Sequence, residues 1–155
     1  MINLTDLEKK INSELTTKIK LSKIKHDHVY IEIDKKDLID VILFLKNNKD
    51  TKFKQLIDIT AVDYPENSKR FKMIYLFLSH EFNQRILISC FINENEVIPS
   101  LTKIFPSANW MEREVFDMYG VNFKDHPDLR RILTDYDFEG HPLRKDFPLT
   151  GHTEV

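Results

Sequence analysis

Hydrophobic positions near the start of the chain recur at the spacing of an amphipathic helix, with charged residues between them. The apolar positions are Leu4, Leu7, Ile11, Leu15 and Ile19. A stripe of this kind predicts a helix over about residues 3–20 with one face buried. We expect this face to dock on a core, with a membrane surface as the alternative.

The next segments alternate between strand-like and helix-like patterns. "HVYIEI" at 28–33 alternates as a strand, and "KKDLIDVILFLKNN" at 35–48 predicts a mostly buried helix that ends at its two asparagines. "FKQLIDITAV" at 53–62 predicts a second strand. The proline and polar residues of "DYPENS" stop this strand because they break the hydrogen-bond ladder.

Two apolar, β-branched and aromatic runs then predict an antiparallel hairpin. They are "RFKMIYLFLS" at 70–79 and "QRILISCFI" at 84–92, joined by the short polar "HEFN". "EVIPSLTKIF" at 96–105 predicts a short helix. "PSANWMEREVFDMYG" predicts a second helix with Asn109 as N-cap, Glu112 three residues later and Gly120 just past its end.

This order of elements predicts an α+β fold, a small and mainly antiparallel sheet flanked by helices. From His126 the periodicity fails, since three prolines and two glycines exclude a long helix or a central strand. Large apolar residues nevertheless continue through the segment. They are Leu129, Ile132, Leu133, Tyr136, Phe138, Leu143, Phe147 and Leu149. We therefore predict a core domain at 1–125 and an extended irregular C-terminal arm at 126–155 that wraps a partner.

Composition narrows the class of protein. The chain has 155 residues, 41% hydrophobic and 31% charged, with a net charge near −2, which predicts one soluble domain and excludes a basic nucleic-acid binder. No apolar run is long enough for a transmembrane helix. The acidic, arginine-free amino terminus argues against a secretory signal or transit peptide. The single cysteine, Cys90, is predicted to pack in the core, and alone it cannot form a disulfide or hold an iron–sulfur cluster.

Arginine is distributed unevenly. The chain has seventeen lysines and six arginines, but four arginines fall between residues 113 and 144. The guanidinium group pairs with a carboxylate through two parallel hydrogen bonds, which an ammonium group cannot do. This local choice predicts fixed ion pairs at an interface.

The candidate chemistry is weak by comparison. A metal site could be assembled from His126, Asp128, His141, Asp146 and His152. Their scattered spacing over irregular chain argues against such a site. Glu112, Glu114 and Asp117 could act as acid–base groups, but a charged helix face that docks or is solvated, with an Arg113–Asp117 ion pair, is the preferred interpretation. No phosphate loop, dinucleotide motif or activated nucleophile is present, so the residues alone indicate no active site.

The segments "NWMEREVFDMYGV" and "HPDLRRILTDYDFEGHPLRKDFPLTG" closely resemble the signature region of the C subunit, or 30-kilodalton subunit, of proton-pumping NADH:quinone oxidoreductase, respiratory complex I. The similarity extends upstream through "DITAVDYP" and covers roughly residues 53–151. Its form is most similar to the mitochondrial and α-proteobacterial branch. The matching positions are Glu112, Arg113, Glu114, Asp117, His126, Arg130, Arg131, Gly140, Pro142, Arg144, Lys145, Asp146 and Pro148.

The resemblance implies a non-catalytic subunit of the peripheral arm with no cofactor of its own, with FMN and iron–sulfur clusters in partner subunits. It implies docking on the neighbouring quinone-module subunit, the 49-kilodalton or D type, on the matrix side of the mitochondrial inner membrane or the cytoplasmic face of a bacterial membrane. The implied candidates for partner binding are Glu112, Arg113, Glu114, Asp117, Arg130, Arg131, His141, Arg144, Lys145, Asp146 and Phe147.

Two other functions stay open on the sequence. The first is the equivalent subunit of a related membrane-bound hydrogenase or of another quinone or ferredoxin dehydrogenase. The second, from a different class, is a free-standing small hydrolase that uses the scattered histidines and carboxylates, which a stoichiometric metal in the purified chain would support.

Overall fold

The computed structural model describes residues 3–151. Its elements, in chain order, are α1 Leu4–Glu14, β1 Ile19–Lys25, β2 His28–Ile33, a 3-10 turn Lys35–Asp37, α2 Leu38–Asn47, β3 Gln55–Asp63, β4 Phe71–Ser79, β5 Gln84–Ile92, β6 Val97–Pro99, α3 Ala108–Tyr119 and β7 Asn122–Lys124. Within these residues, no helix has both the length and the apolar character that a membrane crossing requires.

The main sheet has five strands in the order β1-β2-β5-β4-β3. β1 and β2 are antiparallel, and β2 lies parallel to β5. A separate parallel pair joins β6 to β7. The α+β fold with a mainly antiparallel sheet is confirmed, as is the hairpin formed by β4 and β5.

The chain divides into two compact units. The first unit extends to Ile59 and includes Ile74–Cys90. In it, α1 lies against β1 and β2 and buries Leu7 and Ile11. The burial of β2 alternates strictly along the strand, and the thiol of Cys90 is fully buried as predicted.

The second unit consists of Thr60–Met73 and the chain from Phe91 onward. It contains α3, the β6–β7 pair and the irregular segment that follows. In this unit α3 packs against β7 and buries Val115 and Met118. The predicted division into a core at 1–125 and an arm at 126–155 stays a prediction.

The first helix is shorter than predicted. It ends at Glu14, and residues 19–25 form strand β1 instead of a last helical turn. The hydroxyl group of Thr16 donates to the carbonyl groups of Asn12 and Ser13, which turns the chain at this point. Such local bonds of threonine compete with the helical ladder.

The predicted short helix at 96–105 is wrong. Val97–Pro99 form strand β6, and only a turn follows. Proline disfavours helical backbone at the residue before it, so Ile98 is extended. The predicted N-cap is also displaced, because Ser107 occupies that position and α3 begins at Ala108. The predicted end of the helix at Gly120 is confirmed.

Candidate functional site

The arm has no helix or strand in the described residues 126–151, and polar contacts with its own unit hold it in place. The first group of contacts, the Asp117 anchor, consists of Asp117, Arg131, Ile132, Leu133 and Thr134. The second, the Arg70 anchor, consists of Asp63, Arg70, Glu94, Arg144, Lys145 and Asp146. Both lie entirely within the second unit.

In the Asp117 anchor, one carboxylate with no exposed surface accepts hydrogen bonds from three backbone N–H groups. Oδ2 of Asp117 accepts from the amides of Ile132, Leu133 and Thr134 at 2.9, 2.7 and 2.9 Å. Oδ1 accepts from Nη1 of Arg131 at 2.8 Å and from the Thr134 hydroxyl. The chain thus bends around the carboxylate as it would around a bound anion.

These donors control the ionisation of Asp117. Burial by itself raises the pKa of the Asp117 carboxyl, but the bonds from Thr134, Arg131 and Leu133 outweigh it and hold the pKa well below its usual value. Asp117 is therefore charged throughout the physiological range. The arm therefore binds to a buried carboxylate of α3 that stays negatively charged.

The arm also completes the end of α3. The last carbonyl groups of a helix have no partner within it. The carbonyl oxygen of Asp117 accepts from Nδ1 of His141 at 2.9 Å, that of Met118 from the Leu143 amide at 3.1 Å, and that of Tyr119 from Nε of Arg144 at 2.7 Å. Arg131 and Arg144 also place positive charge where the helix dipole is negative.

Gly120 makes this close approach possible. It has a left-handed backbone with φ of 76°, which glycine adopts without the cost that a Cβ atom imposes. A Cβ atom at this position would lie 2.6 Å from Nη2 of Arg144 and 2.6 Å from Nε2 of His141. The glycine therefore serves both the helix end and the seating of the arm.

The Arg70 anchor holds the second part of the arm. The guanidinium group of Arg70 binds both oxygens of Asp63, with Nε–Oδ1 at 2.7 Å and Nη2–Oδ2 at 3.0 Å. Nη2 also contacts Asp146 at 2.8 Å, and the Lys145 amide donates to Asp63 at 2.8 Å. Glu94 accepts from Nη1 of Arg144 at 2.8 Å and lies 3.3 Å from Nη1 of Arg70.

The charges of this anchor are stabilised by one another. Burial raises the pKa of Asp63, but the bonds from Arg70 and the Lys145 amide bring it below its usual value. The bond from Arg70 also lowers the pKa of Asp146. Asp63 and Arg70 were missed as site residues by the sequence analysis. The preference for lysine elsewhere in the chain was the signal, since Arg70 stands among lysines in "SKRFK".

Glu112 lies at the other end of α3 and faces the turn after β6. It is fully buried, and its carboxyl group meets the amide of Leu101 at 2.6 Å and the hydroxyl group of Ser100 at 2.7 Å. The predicted charged helix face, docked or solvated, is thus wrong for Glu112 and Asp117, which are buried by their own chain. Glu114 is the one exposed acidic residue of that set.

Arg113 does not form the predicted ion pair with Asp117. Its guanidinium group donates instead to the carbonyl groups of Arg130 and Arg131 at 3.1 and 2.9 Å. Arg130 binds the exposed Asp128 and the hydroxyl group of Tyr136. Sequence spacing favoured an Arg113–Asp117 pair, whereas in the folded chain Asp117 pairs with Arg131, 14 residues after it.

The remaining predicted residues lie along the arm. Nη2 of Arg131 donates to the carbonyl group of Gly140, the ammonium group of Lys145 lies over the ring of Tyr64, and the ring of Phe147 stacks on that of Phe138 with centroids 6.0 Å apart. The predicted ion pairs of Arg131 and Arg144 are therefore made within the chain. Their role in partner binding stays a prediction.

The apolar residues of the arm are largely exposed. The exposed members are Leu133, Tyr136, Phe138, Leu143 and Leu149. Leu133, 64% exposed, shares an open groove of about 720 Å³ with Trp110, which is 71% exposed. Met111 and Ile132 complete its apolar wall, and Glu114 lies beside it. We call this surface the Trp110 groove.

Within residues 3–151 the structure has no group of three or more His, Cys, Asp or Glu side chains placed to hold a metal ion. His126 instead contacts the Asn109 carbonyl and the Asp128 amide, and His141 contacts α3. His152, the last member of the predicted set, lies outside the described residues.

Residues 31–153 match the family described as "Respiratory-chain NADH dehydrogenase, 30 Kd subunit". The C subunit of NADH-quinone oxidoreductase from Ruegeria pomeroyi is 56% identical over 125 residues, 81% of this chain and 62% of that protein. The Candida albicans protein named NADH dehydrogenase [ubiquinone] iron-sulfur protein 3, mitochondrial, is 53% identical over 83% of this chain and 46% of its own length. The chain thus spans about half to two thirds of these two relatives.

The fold also resembles that of a solved structure. A chain of the membrane-bound sulfane sulfur reductase, an archaeal respiratory membrane complex, superposes with a TM-score of 0.79 over 94% of this chain and 85% of that chain. The identity is 22%, so this likeness concerns the fold alone.

Proposed function

The chain belongs to the 30-kilodalton subunit family of respiratory-chain NADH dehydrogenase, and from this premise we propose that it is a docking subunit of the enzyme's peripheral arm. It carries no redox group and stabilises the quinone-binding module while electrons pass from NADH to quinone, coupled to proton translocation. Its partner is the neighbouring 49-kilodalton, D-type subunit, and other subunits of the complex surround the pair.

The observation that carries this proposal is the contrast between the two sides of the arm. The polar side is bound to the chain's own second unit, whereas Leu133, Tyr136 and Leu143 are exposed. Exposed apolar patches on a soluble domain mark binding surfaces. Aromatic side chains such as Trp110 and Tyr136 are also the residue type that dominates binding energy at protein interfaces.

The anchors support docking because they fix the arm in advance. A segment that becomes ordered only on binding loses conformational entropy at that moment and binds more weakly. The arm is instead held by Asp117 and Arg70 before any partner arrives. The ion pairs that the sequence analysis assigned to a partner thus serve here to present the apolar side chains.

The proposed lack of an iron–sulfur cluster in this chain is supported by the ligands that it offers. Iron–sulfur clusters are held by several cysteine thiolates, and this chain has one cysteine, which is buried in β5. We therefore assign FMN and the clusters to partner subunits. As part of that assembly, the chain would lie on the matrix side of the mitochondrial inner membrane or the cytoplasmic face of a bacterial membrane.

The alternative host, a related membrane-bound hydrogenase or another quinone or ferredoxin dehydrogenase, has less support. It rests on the sequence resemblance alone, whereas two NADH dehydrogenase subunits are 56% and 53% identical to this chain. A free-standing hydrolase has no support from the arrangement of the histidines, which cap α3 and begin the arm.

Co-expression with the tagged D-type subunit tests the docking function. We expect Leu133→Ser to reduce the amount of co-purified chain at least about tenfold, equivalent to about 1.4 kcal/mol of binding free energy. Leu21→Ser is the matched control, since Leu21 is also an exposed leucine but lies on β1 in the first unit. Equal recovery of the wild type and Leu133→Ser, with both folded, would exclude the Trp110 groove as the docking surface.

A further inference from the structure

Glu112 is a buried carboxyl group with no structural cation beside it. Its two oxygens contact only the amide of Leu101, the hydroxyl group of Ser100 and, at 3.9 Å, the imidazole of His126. No other charged side chain among residues 3–151 lies within ion-pair distance of it. Both side chains of the Glu112–His126 pair are fully buried.

The hydrogen bonds of His126 match the tautomer with its proton on Nε2. Its Nδ1 atom lies 3.0 Å from the amide nitrogen of Asp128, which can only donate, so Nδ1 accepts. The ring proton is then on Nε2, which donates to the carbonyl group of Asn109 at 2.9 Å. His126 therefore gives Glu112 no positive charge in this arrangement.

The hydrogen bonds that Ser100 and Leu101 make to Glu112 fit the carboxyl in either protonation state without moving a heavy atom of these two residues. When it is ionised, the Ser100 hydroxyl donates to Oε2 and the Leu101 amide donates to Oε1. When it is protonated, Oε2–H donates to Ser100, and the Ser100 hydroxyl turns to Oγ1 of Thr102, 2.8 Å away. The Thr102 amide donates to Ser100 in both states.

We propose that Glu112 is a proton-binding site whose occupancy sets the hydrogen bond of His126, the first residue of the arm. With the proton bound, His126 donates to Asn109 as observed. When the proton leaves, a buried charge without a cation lies 3.9 Å from Nε2, and the imidazole ring of His126 rotates so that its Nε2–H group donates to Oε2 instead of to Asn109. A proton thus changes the contact between α3 and the start of the arm.

The expected pH range follows from the site. Burial raises the pKa of the Glu112 carboxyl to about 7, although the bonds from Leu101 and Ser100 partly oppose it. Among the described residues, the titratable side chain that faces Glu112 across the turn and the arm is His126. The inference concerns the chain itself and is independent of the docking function.

NMR titration of the purified full chain, without any partner, tests the site. We expect one glutamate side-chain carboxyl resonance to titrate near pH 7 instead of near 4.5, and the ¹⁵N signals of His126 to shift in the same step. Glu112→Gln identifies the resonance by its loss and should abolish the His126 step, whereas Glu114→Gln, on the exposed face of α3, should leave both.

Two outcomes would overturn the proposal. If every glutamate in the wild type titrates near 4.5, Glu112 binds no proton at neutral pH. If Glu112 titrates near 7 while the His126 signals stay constant, the coupling to the arm is absent. The first outcome needs the wild type alone, and through-bond assignment of the Glu112 carboxyl in the wild type serves the second, so neither depends on the folding of a variant.

Discussion

The two ends of α3 each bury a carboxylate completely, and the two groups behave in opposite ways. Near the start, Glu112 has two donors and no structural cation, and its pKa is raised. Near the end, Asp117 has three amides, a hydroxyl group and Arg131, and its pKa is lowered. Neither side chain has exposed surface, but Glu112 lies deeper in the protein and has fewer donors than Asp117, so both differences act in the direction of the two pKa shifts.

Removal of the negative charge of Asp117 should have the largest effect, because that charge holds the arm. We expect Asp117→Asn to lower the free energy of unfolding by about 3–5 kcal/mol, because Arg131 then stays partly buried without its carboxylate. Chemical denaturation measures the loss. Asp128→Asn, which removes an exposed partner of Arg130, is the control and should cost less than about 1 kcal/mol.

Amide exchange in the same variant locates the effect. The amides of Ile132, Leu133 and Thr134 should exchange faster, since each donates to Asp117. Unchanged protection of these amides would show that Asp117 does not hold the arm.

A change of pH separates the two carboxyls, because the pKa of Glu112 is raised and that of Asp117 is lowered. For Glu112 the folded-state pKa of about 7 lies above the ordinary 4.5, so its contribution is complete below 4.5 and is lost as pH rises to 7. The loss amounts to about 3 kcal/mol. For Asp117 the pKa is lowered, so its contribution is complete above 3.8 and is lost only in acid.

Denaturation curves across this range check the sign. Glu112→Gln should remove the decline between about pH 5 and 8 and be more stable than the wild type at about pH 8. An equal slope in both proteins would mean that another group causes the decline.

A third substitution tests Gly120, where α3 ends and the arm lies against it. Gly120→Ala should destabilise the chain by about 1–2 kcal/mol from its left-handed backbone alone. The added Cβ would also displace His141 and Arg144, so the arm from 141 onward should become more sensitive to protease. Gly151→Ala has the same sign of φ but open space around it, so it isolates the backbone cost.

The smallest expected effect is that of a substitution in the Arg70 anchor. Arg144→Lys keeps the charge but cannot reach Tyr119 and Glu94 with one rigid fork, so we expect a loss of about 1 kcal/mol and weaker assembly with the D-type subunit. Arg85→Lys, an exposed position on β5, should change neither the midpoint of thermal unfolding nor the assembly. Full assembly of Arg144→Lys would contradict the fixed-pair interpretation.

Local patterns were sufficient for much of the fold. The alternation of 70–79 and 84–92 predicted the hairpin, and the glycine after "FDMY" predicted the end of α3, because these signals act between neighbouring residues. Strand β1 was missed, since Ile19 continues the apolar stripe of the preceding helix, whereas the helix has already ended where Thr16 bonds back to Asn12 and Ser13.

The contacts of the site could be predicted only in part. Arginine enrichment indicated fixed pairs, but Arg131 and Arg144 have partners at Asp117 and Glu94, which lie 14 and 50 residues away. Spacing along a helix can suggest only neighbours three or four residues apart, which produced the wrong Arg113–Asp117 pair. The burial of Glu112 also depends on a turn that the sequence predicted as helix.

The closing of α3 by the arm has a consequence for the order in which the chain folds during synthesis. The carbonyl groups of Asp117, Met118 and Tyr119 obtain their partners from residues 141–144, which the ribosome adds more than twenty residues later. Until then, water must satisfy this end of the helix. The last carbonyl groups of the emerging helix therefore have no partner in the chain, and the residues that later bond to them also position the chain's exposed apolar surface.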